Sequence, residues 1–275
     1  MGFTFVDRIS AIEADHARGE VYCTEQEPLP PWLLIEAVGQ LAAWIAMWRC
    51  EFRSRPVAAL VPDVRLPVAT AAATVVLEAR IERLDRRAVL YSGTARCASG
   101  DLAVLSRCVG PLLPMETFDD PAAVRQRFES LCGAGTARRG HGDDHRAARP
   151  LLSRVEVDAA AARAELRVPE SAPFFREHFP RFPVYPAVLL ADAQSQLAVP
   201  LAARLLGVPA DTIRPSGVRD FKVRAFSPPG QVLELVATPR DVDAGDARIA
   251  VSAVADGKRV ATGILSYRVA ASCTA

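Results

Sequence analysis

The sequence predicts an α+β fold of two antiparallel sheets, each wrapped around one long central helix. Three observations predict it. Two long apolar stretches, residues 29–44 and 185–200, align without a gap. Setting Glu36 on Asp192 also sets Pro30 on Pro186, Leu33 on Leu189, Ala37 on Ala193 and Gln40 on Gln196, and an internal repeat of this kind precedes any local reading. Both stretches are apolar nearly all round, as expected of helices enclosed by sheet rather than lying on its surface. Each is preceded by a pair of strand-like runs and followed by three or four more, spaced as in an antiparallel ladder.

Composition sets the bounds. The chain has 275 residues, half of them hydrophobic and about a quarter charged, with a formal net charge of +1. That length suits two ordinary domains, and the near-neutral balance gives no support to nucleic-acid binding. Thirty-one of the 33 basic residues are Arg, since Lys222 and Lys258 are the two lysines. Apolar runs are broken by Arg, Glu or Pro before a bilayer-spanning length, and the start of the chain lacks the basic head and apolar core of a secretory signal. A cytoplasmic protein with no membrane association is expected. The cysteines show no CxxC pair and no His at ligand spacing, so Cys50, Cys97 and Cys108 read as reduced core thiols, and no metal site is expected.

In order, residues 3–9 and 19–24 read as strands, with ADHARG as the turn between them and His16 in that turn. A helix follows over 31–47, then an irregular EFRSRP segment and strands at 56–66, 73–84, 87–98 and 101–109. ASGD at 98–101 is a hairpin turn. One short helix falls within 111–132, with Asp119 or Asp120 ahead of Pro121 as its N-cap. The stretch 133–150 is dense in Gly, Arg and Asp and without periodicity, so it reads as a mobile linker in which His141 and His145 have no fixed geometry. Two strands follow over 151–170. Domains are therefore expected at 1–112 and 151–275, with 113–150 joining them.

Next comes an arm, PFFREHFPRFPVYP at 173–186, which the first copy lacks. Its prolines favour φ near −65° and push their predecessors toward extended geometry, so the arm is expected to be extended and stiff, with His178 on it. The second helix spans 187–206 and ends at Gly207. A strand at 218–226, a turn at 227–230 and three more strands complete the chain, with Asp256 and Gly257 as a hairpin turn. Asp192 and Glu36 each lie on an apolar helix, where a carboxylate costs free energy unless paired or protonated.

The string HFPRFPVYPAVLLAD over 178–192, with Gln196 four positions on, resembles the signature of bacterial 3-hydroxyacyl-carrier-protein dehydratases of the hot-dog fold. The resemblance covers most of 151–270 and, more faintly, 1–110. It implies a double hot-dog: a pseudo-dimer within one chain, with further homo-oligomerisation left open. In that family the His and the acid of one signature work in different sites, because the protomers exchange them. Carried over, His178 is the catalytic His and Asp192 stands at the acid position. Ala187 replaces the Gly whose N–H binds the thioester oxygen, and Val184 supplies a carbonyl that orients the His. In the first copy Glu36 matches the acid.

That copy has lost its His together with the whole arm, and Pro31, which has no N–H, stands where its oxyanion donor would be. The resemblance therefore implies one composite site, with His178 as base and Glu36 as acid, and leaves Asp192 vestigial or structural. Trp32, Leu33, Phe182 and Tyr185 are expected along the substrate tunnel. Arg176, Arg181, Arg219, Lys222 and Arg224 are expected to meet an acidic acyl carrier protein bearing the 3-hydroxyacyl thioester. Neither a metal nor an organic cofactor is implied. The alternatives are an acyl thioesterase on the same fold and a non-catalytic carrier-binding scaffold.

Overall fold

The computed structural model describes residues 3–23, 29–67, 74–133 and 151–270. Its thirteen strands form one antiparallel system. In the first half these are β1 (Arg8–Ile12), β2 (His16–Tyr22), β3 (Ser54–Pro56), β4 (Leu60–Arg65), β5 (Thr74–Leu84), β6 (Ala88–Cys97) and β7 (Gly100–Pro114). The second half supplies β8 (Leu152–Val157), β9 (Ala162–Arg167), β10 (Ile213–Val223), β11 (Val232–Asp243), β12 (Asp246–Ala255) and β13 (Lys258–Val269). The order across the sheet is β1-β2-β5-β6-β7-β4-β10-β13-β12-β11-β9-β8, with β3 added beside β7. Outward from the centre, 4-7-6-5-2-1 on one side answers 10-13-12-11-9-8 on the other, so the repeat in sequence is a repeat in topology. The halves join where β4 pairs β10, with Arg65 opposite Gly217 and Leu60 opposite Lys222. The architecture is a double hot-dog whose two sheets are continuous.

Helix α1 (Pro31–Arg49) crosses the concave face of the first half. It begins at a proline, tolerated in the first turn because that N–H has no intrahelical partner. It is long and apolar enough, by length and composition, to span a bilayer, contrary to the expectation from interrupted runs. Here its apolar side chains pack inside the sheet, with Ala37, Val38, Leu41 and Ile45 fully buried. Close approach is made possible by Gly93 on β6, where a Cβ would lie 2.5 Å from the Glu78 carbonyl oxygen and 2.6 Å from Val38 Cγ1. Two short helices, α2 (Met115–Phe118) and α3 (Pro121–Cys132), follow β7. Asp120 caps α3, its side chain accepting from the Ala122 and Ala123 amides. Helix α4 is the single turn Phe175–His178, and α5 (Ala187–Leu206) fills the second half, ending on Gly207 at φ 67°.

Several expectations need correction. Residues 3–7 precede the first strand rather than belong to it. The Gln40 side chain bonds the backbone of Phe3 and Phe5. His16 opens β2 opposite Arg80 and is half-buried, because the turn tightens to Glu13–His16. The arm is not extended at His178: residues 174–178 contain no proline, and Pro173 leads into a helical turn. The strand expected at 218–226 starts at Ile213 and stops at Val223. The stretch 134–150, with His141 and His145, lies outside the described residues.

Candidate active site

The site begins with an amide. On α1, Gln40 lies one turn beyond Glu36, so the two side chains share a face. Its Nε2 donates to Glu36 Oε1 at 2.9 Å and to the Phe3 carbonyl at 3.0 Å, while its Oε1 accepts from the Phe5 N–H at 2.9 Å. These bonds settle which end of the amide faces the carboxylate. They also bind the N-terminal segment over the helix.

The arm of the second half reaches this place. His178 ends α4, and its ring stacks on Phe179 at 4.0 Å between centroids while Phe3 meets it edge-on at 5.2 Å. Nδ1 is buried and makes no hydrogen bond among the described residues. The Val184 carbonyl is near enough to the ring to favour its protonated form. Beneath the arm lies Arg55, on β3. Its Nη2 donates to the His178 carbonyl oxygen at 3.1 Å, and its Cζ lies 5.1 Å from the Phe179 ring centroid.

Glu36, Arg55, His178, Val184 and Ala187 all line one cavity of about 400 Å³. Trp32, Gly39, Ala43, Trp44 and Met47 carry it along α1, and Tyr91 on β6 and Leu131 on α3 line it too. Ala187 is the first residue of α5, where helix geometry leaves the N–H without an intrahelical acceptor and the helix dipole favours negative charge. The cavity is mostly apolar, which sets the proton affinities. Burial pushes the Glu36 carboxyl above its ordinary value, opposed by the Gln40 amide and the Arg55 charge. Burial and then the Arg55 charge push the His178 imidazole down to about 3, opposed by the Val184 carbonyl. Arg55 itself is lowered to about 10, chiefly by burial, with Asp119 and Glu36 holding its charge and Arg127 opposing it.

Among the expected tunnel residues, Trp32 and Tyr185 line the cavity. Leu33 does not: it is buried on another side of α1. Phe182 also lies off the cavity, 40% exposed and packed on Phe118 and Phe226. Asp192 accepts from Gln196 Nε2 at 3.1 Å, repeating the Gln40–Glu36 bond, but is not among the cavity-lining residues. Its charge acts on Tyr185 and Tyr267 instead. Pro31 is the first residue of α1. Trp48, near the end of α1, is 38% exposed and stacks on Phe128.

The basic residues divide. Arg181 clamps the arm to the turn before α3, bonding the Glu116 and Asp119 carbonyls and the Asp120 carboxylate. Arg219 pairs with Asp63, and Arg224 bonds Thr262. Arg176 is exposed and Lys222 half-buried. Sequence reasoning missed Arg55, Tyr91 and the N-terminal Phe3. Among the described residues no group of His, Cys, Asp and Glu could hold a metal ion.

A family model described as ApeI-like, "ApeI dehydratase", matches residues 154–264. The 3-hydroxyacyl-[acyl-carrier-protein] dehydratase FabZ of Thermus thermophilus is 32% identical over 119 residues, covering 42% of this chain and 84% of that protein. The FabZ of Streptococcus pneumoniae is 32% identical over 126 residues, covering 46% and 90%. The chain belongs to the FabZ-like hot-dog family. Those relatives account for less than half of it; solved structures match it nearly end to end. The tesB protein of Mycobacterium avium subsp. paratuberculosis has a TM-score of 0.60 at 12% identity, covering 97% of each chain. An acyl-ACP thioesterase from Bacteroides thetaiotaomicron has a TM-score of 0.54 at 12% identity, covering 92% of this chain and 98% of its own. At those identities the likeness shows the fold alone. The family and the cavity together describe a hot-dog-fold enzyme acting on an acyl thioester.

Proposed function

We propose that this protein dehydrates a 3-hydroxyacyl thioester, carried on an acyl carrier protein, to the trans-2-enoyl thioester. The observation that supports it is a neutral imidazole from one half and a carboxyl of raised proton affinity from the other, lining one apolar cavity. In this reading His178 Nε2 takes the α-proton. The bond from the β-carbon to oxygen then breaks, and Glu36 gives its proton to the departing hydroxyl, which leaves as water. The Ala187 N–H meets charge gathering on the thioester oxygen, with the start of α5 behind it. A protonated Glu36 and a neutral His178 are the states these steps require, and the two environments favour them. The same groups serve hydration in reverse.

A thioesterase is the second reading, favoured by a solved structure that matches nearly the whole chain and is named an acyl-ACP thioesterase. There Glu36 would direct water at the thioester carbon. One experiment separates the two. The protein is incubated with a 3-hydroxyacyl carrier protein, and the acyl carrier is followed by intact mass alongside a thiol reagent. Loss of one water from a still-acylated carrier, without free thiol, is the outcome expected. Release of free thiol without the enoyl product would replace the dehydratase reading with the hydrolase.

A further inference from the structure

Arg55 is a costly residue to keep where it is. A guanidinium removed from water needs partners to repay its lost hydration. Asp119, the carboxylate whose charge most favours the charged guanidinium, is already bonded to Arg127. Arg55 nevertheless reaches its position through a strained turn. Directly after α1, Glu51 and Phe52 take φ of 53° and 61°, a left-handed conformation rarely adopted by side-chain-bearing residues. That turn throws the chain back into the three-residue β3, where Arg55 sits opposite Leu113 on β7.

Two contacts then converge on one place. The guanidinium bonds the His178 carbonyl, and it shares the Phe179 ring with the His178 imidazole. Since Glu36 lines the same cavity, one cation from the first half stands by both groups of the proposed reaction. The arm carrying His178 comes from the second half, so this is also a contact by which one half seats the other.

We propose that Arg55 is a positioning residue: it fixes the backbone of His178 against the first half and places a fixed positive charge beside the imidazole in the cavity that Glu36 also lines. The proposal rests on the acyl-thioester reading of the site, but its central measurement does not. Other ionisable groups share the cavity: Glu36 from α1, Tyr91 from β6, Arg127 from α3, Glu177 and Tyr185 from the arm, and Asp7 from the N-terminal segment. A change at Arg55 must therefore be read at His178 itself.

Two variants separate charge from hydrogen bonding. Arg55→Gln keeps an N–H donor and loses the charge; Arg55→Lys keeps the charge and loses the planar fork. The His178 ring is followed by side-chain nitrogen NMR against pH, with its signal assigned by its loss in His178→Gln. In the parent the ring stays neutral down to about pH 3. In Arg55→Gln its midpoint should rise by about one pH unit or more, while in Arg55→Lys it should stay near the parent value. With a 3-hydroxyacyl carrier substrate, kcat should fall about tenfold or more in Arg55→Gln, with KM less changed and partial recovery in Arg55→Lys. An unchanged midpoint in folded Arg55→Gln would overturn the proposal, as would a midpoint in Arg55→Lys as high as in the Gln variant. Should no variant or parent act on the thioester, the function fails while the NMR comparison still decides the role of Arg55. Should Arg55→Gln not fold, the same midpoint is read in Arg55→Met, which also removes the charge, and an unchanged value there overturns the proposal.

Discussion

The Gln40 amide donates to the Glu36 carboxylate at 2.9 Å, and one half away the Gln196 amide does the same to Asp192 at 3.1 Å. The two acids are equivalent by sequence, helix position and partner, yet Glu36 lines the cavity and Asp192 does not. Replacing each by its amide should therefore give different results. Glu36→Gln leaves a side chain of similar size with no proton to give, and turnover should fall by about 10²-fold or more. Asp192→Asn should stay within a few-fold of the parent, by the same argument on an acid away from the reacting groups. Steady-state rates on a common carrier substrate make the comparison. Equal losses would mean that both acids act and that one composite site is the wrong description.

Gln40 has a second task. Its three bonds join the acid to the Phe3 carbonyl and the Phe5 amide in the segment that leads into β1. Gln40→Leu keeps the volume and removes all three. Stability should drop by about 1–3 kcal/mol, since buried polar groups lose a partner. Glu36 should also hold its proton to higher pH, because the Gln40 bond favours its charged form. The alkaline limb of the activity profile should then move upward in the variant. A loss of Tm with an unmoved limb would confine Gln40 to holding the N-terminal segment.

These contrasts mark what the sequence could and could not convey. Both long helices were legible because they are apolar nearly all round and bounded by Pro30 and Pro186 at the start and, in the second, Gly207 at the end. His178, Glu36 and Ala187 were legible through a local motif and a repeat. Arg55 was not, because it reaches the cavity only through a left-handed turn at Glu51 and Phe52 and a pairing with β7, nearly sixty positions later. Phe182 and Leu33 were misplaced for a related reason. Prolines and helical spacing restrict the backbone, but which side chains face a cavity depends on the neighbours that enclose it.

Gly93 tests the packing that brings α1, and so Glu36, to its depth. A methyl there would meet the Glu78 carbonyl at 2.5 Å and Val38 Cγ1 at 2.6 Å. Only the second of these can be relieved by another substitution. Gly93→Ala should cost roughly 1–3 kcal/mol by overpacking, seen as a fall of about 2–4 °C in Tm for each kcal/mol. Adding Val38→Ala should recover part of that loss and no more, because the carbonyl remains. Full recovery would show that the helix contact alone requires the glycine.

The pH dependence of stability carries the last prediction, and the two cavity groups pull in opposite directions. His178 has a folded value of about 3 against an ordinary 6.5. Between those values the unfolded chain binds the proton and the folded chain does not, so stability falls as pH drops from 6.5 toward 3. Glu36 is raised above its ordinary 4.5. Above 4.5 the folded state retains a proton that the unfolded state has released, so its contribution is complete below 4.5 and lost as pH rises through the folded value. His178→Gln should therefore flatten the acid side of a Tm–pH curve between 6.5 and 3. Glu36→Gln should remove a decline that begins above 4.5 and leave the acid side as steep as in the parent. The curves are measured by calorimetry in buffers of constant ionic strength, since surface pairs such as Arg96–Asp101 also respond to salt. A His178→Gln curve that keeps the parent's acid slope would show that the imidazole is not held neutral in the folded protein, and the base role proposed for it would lose its physical footing.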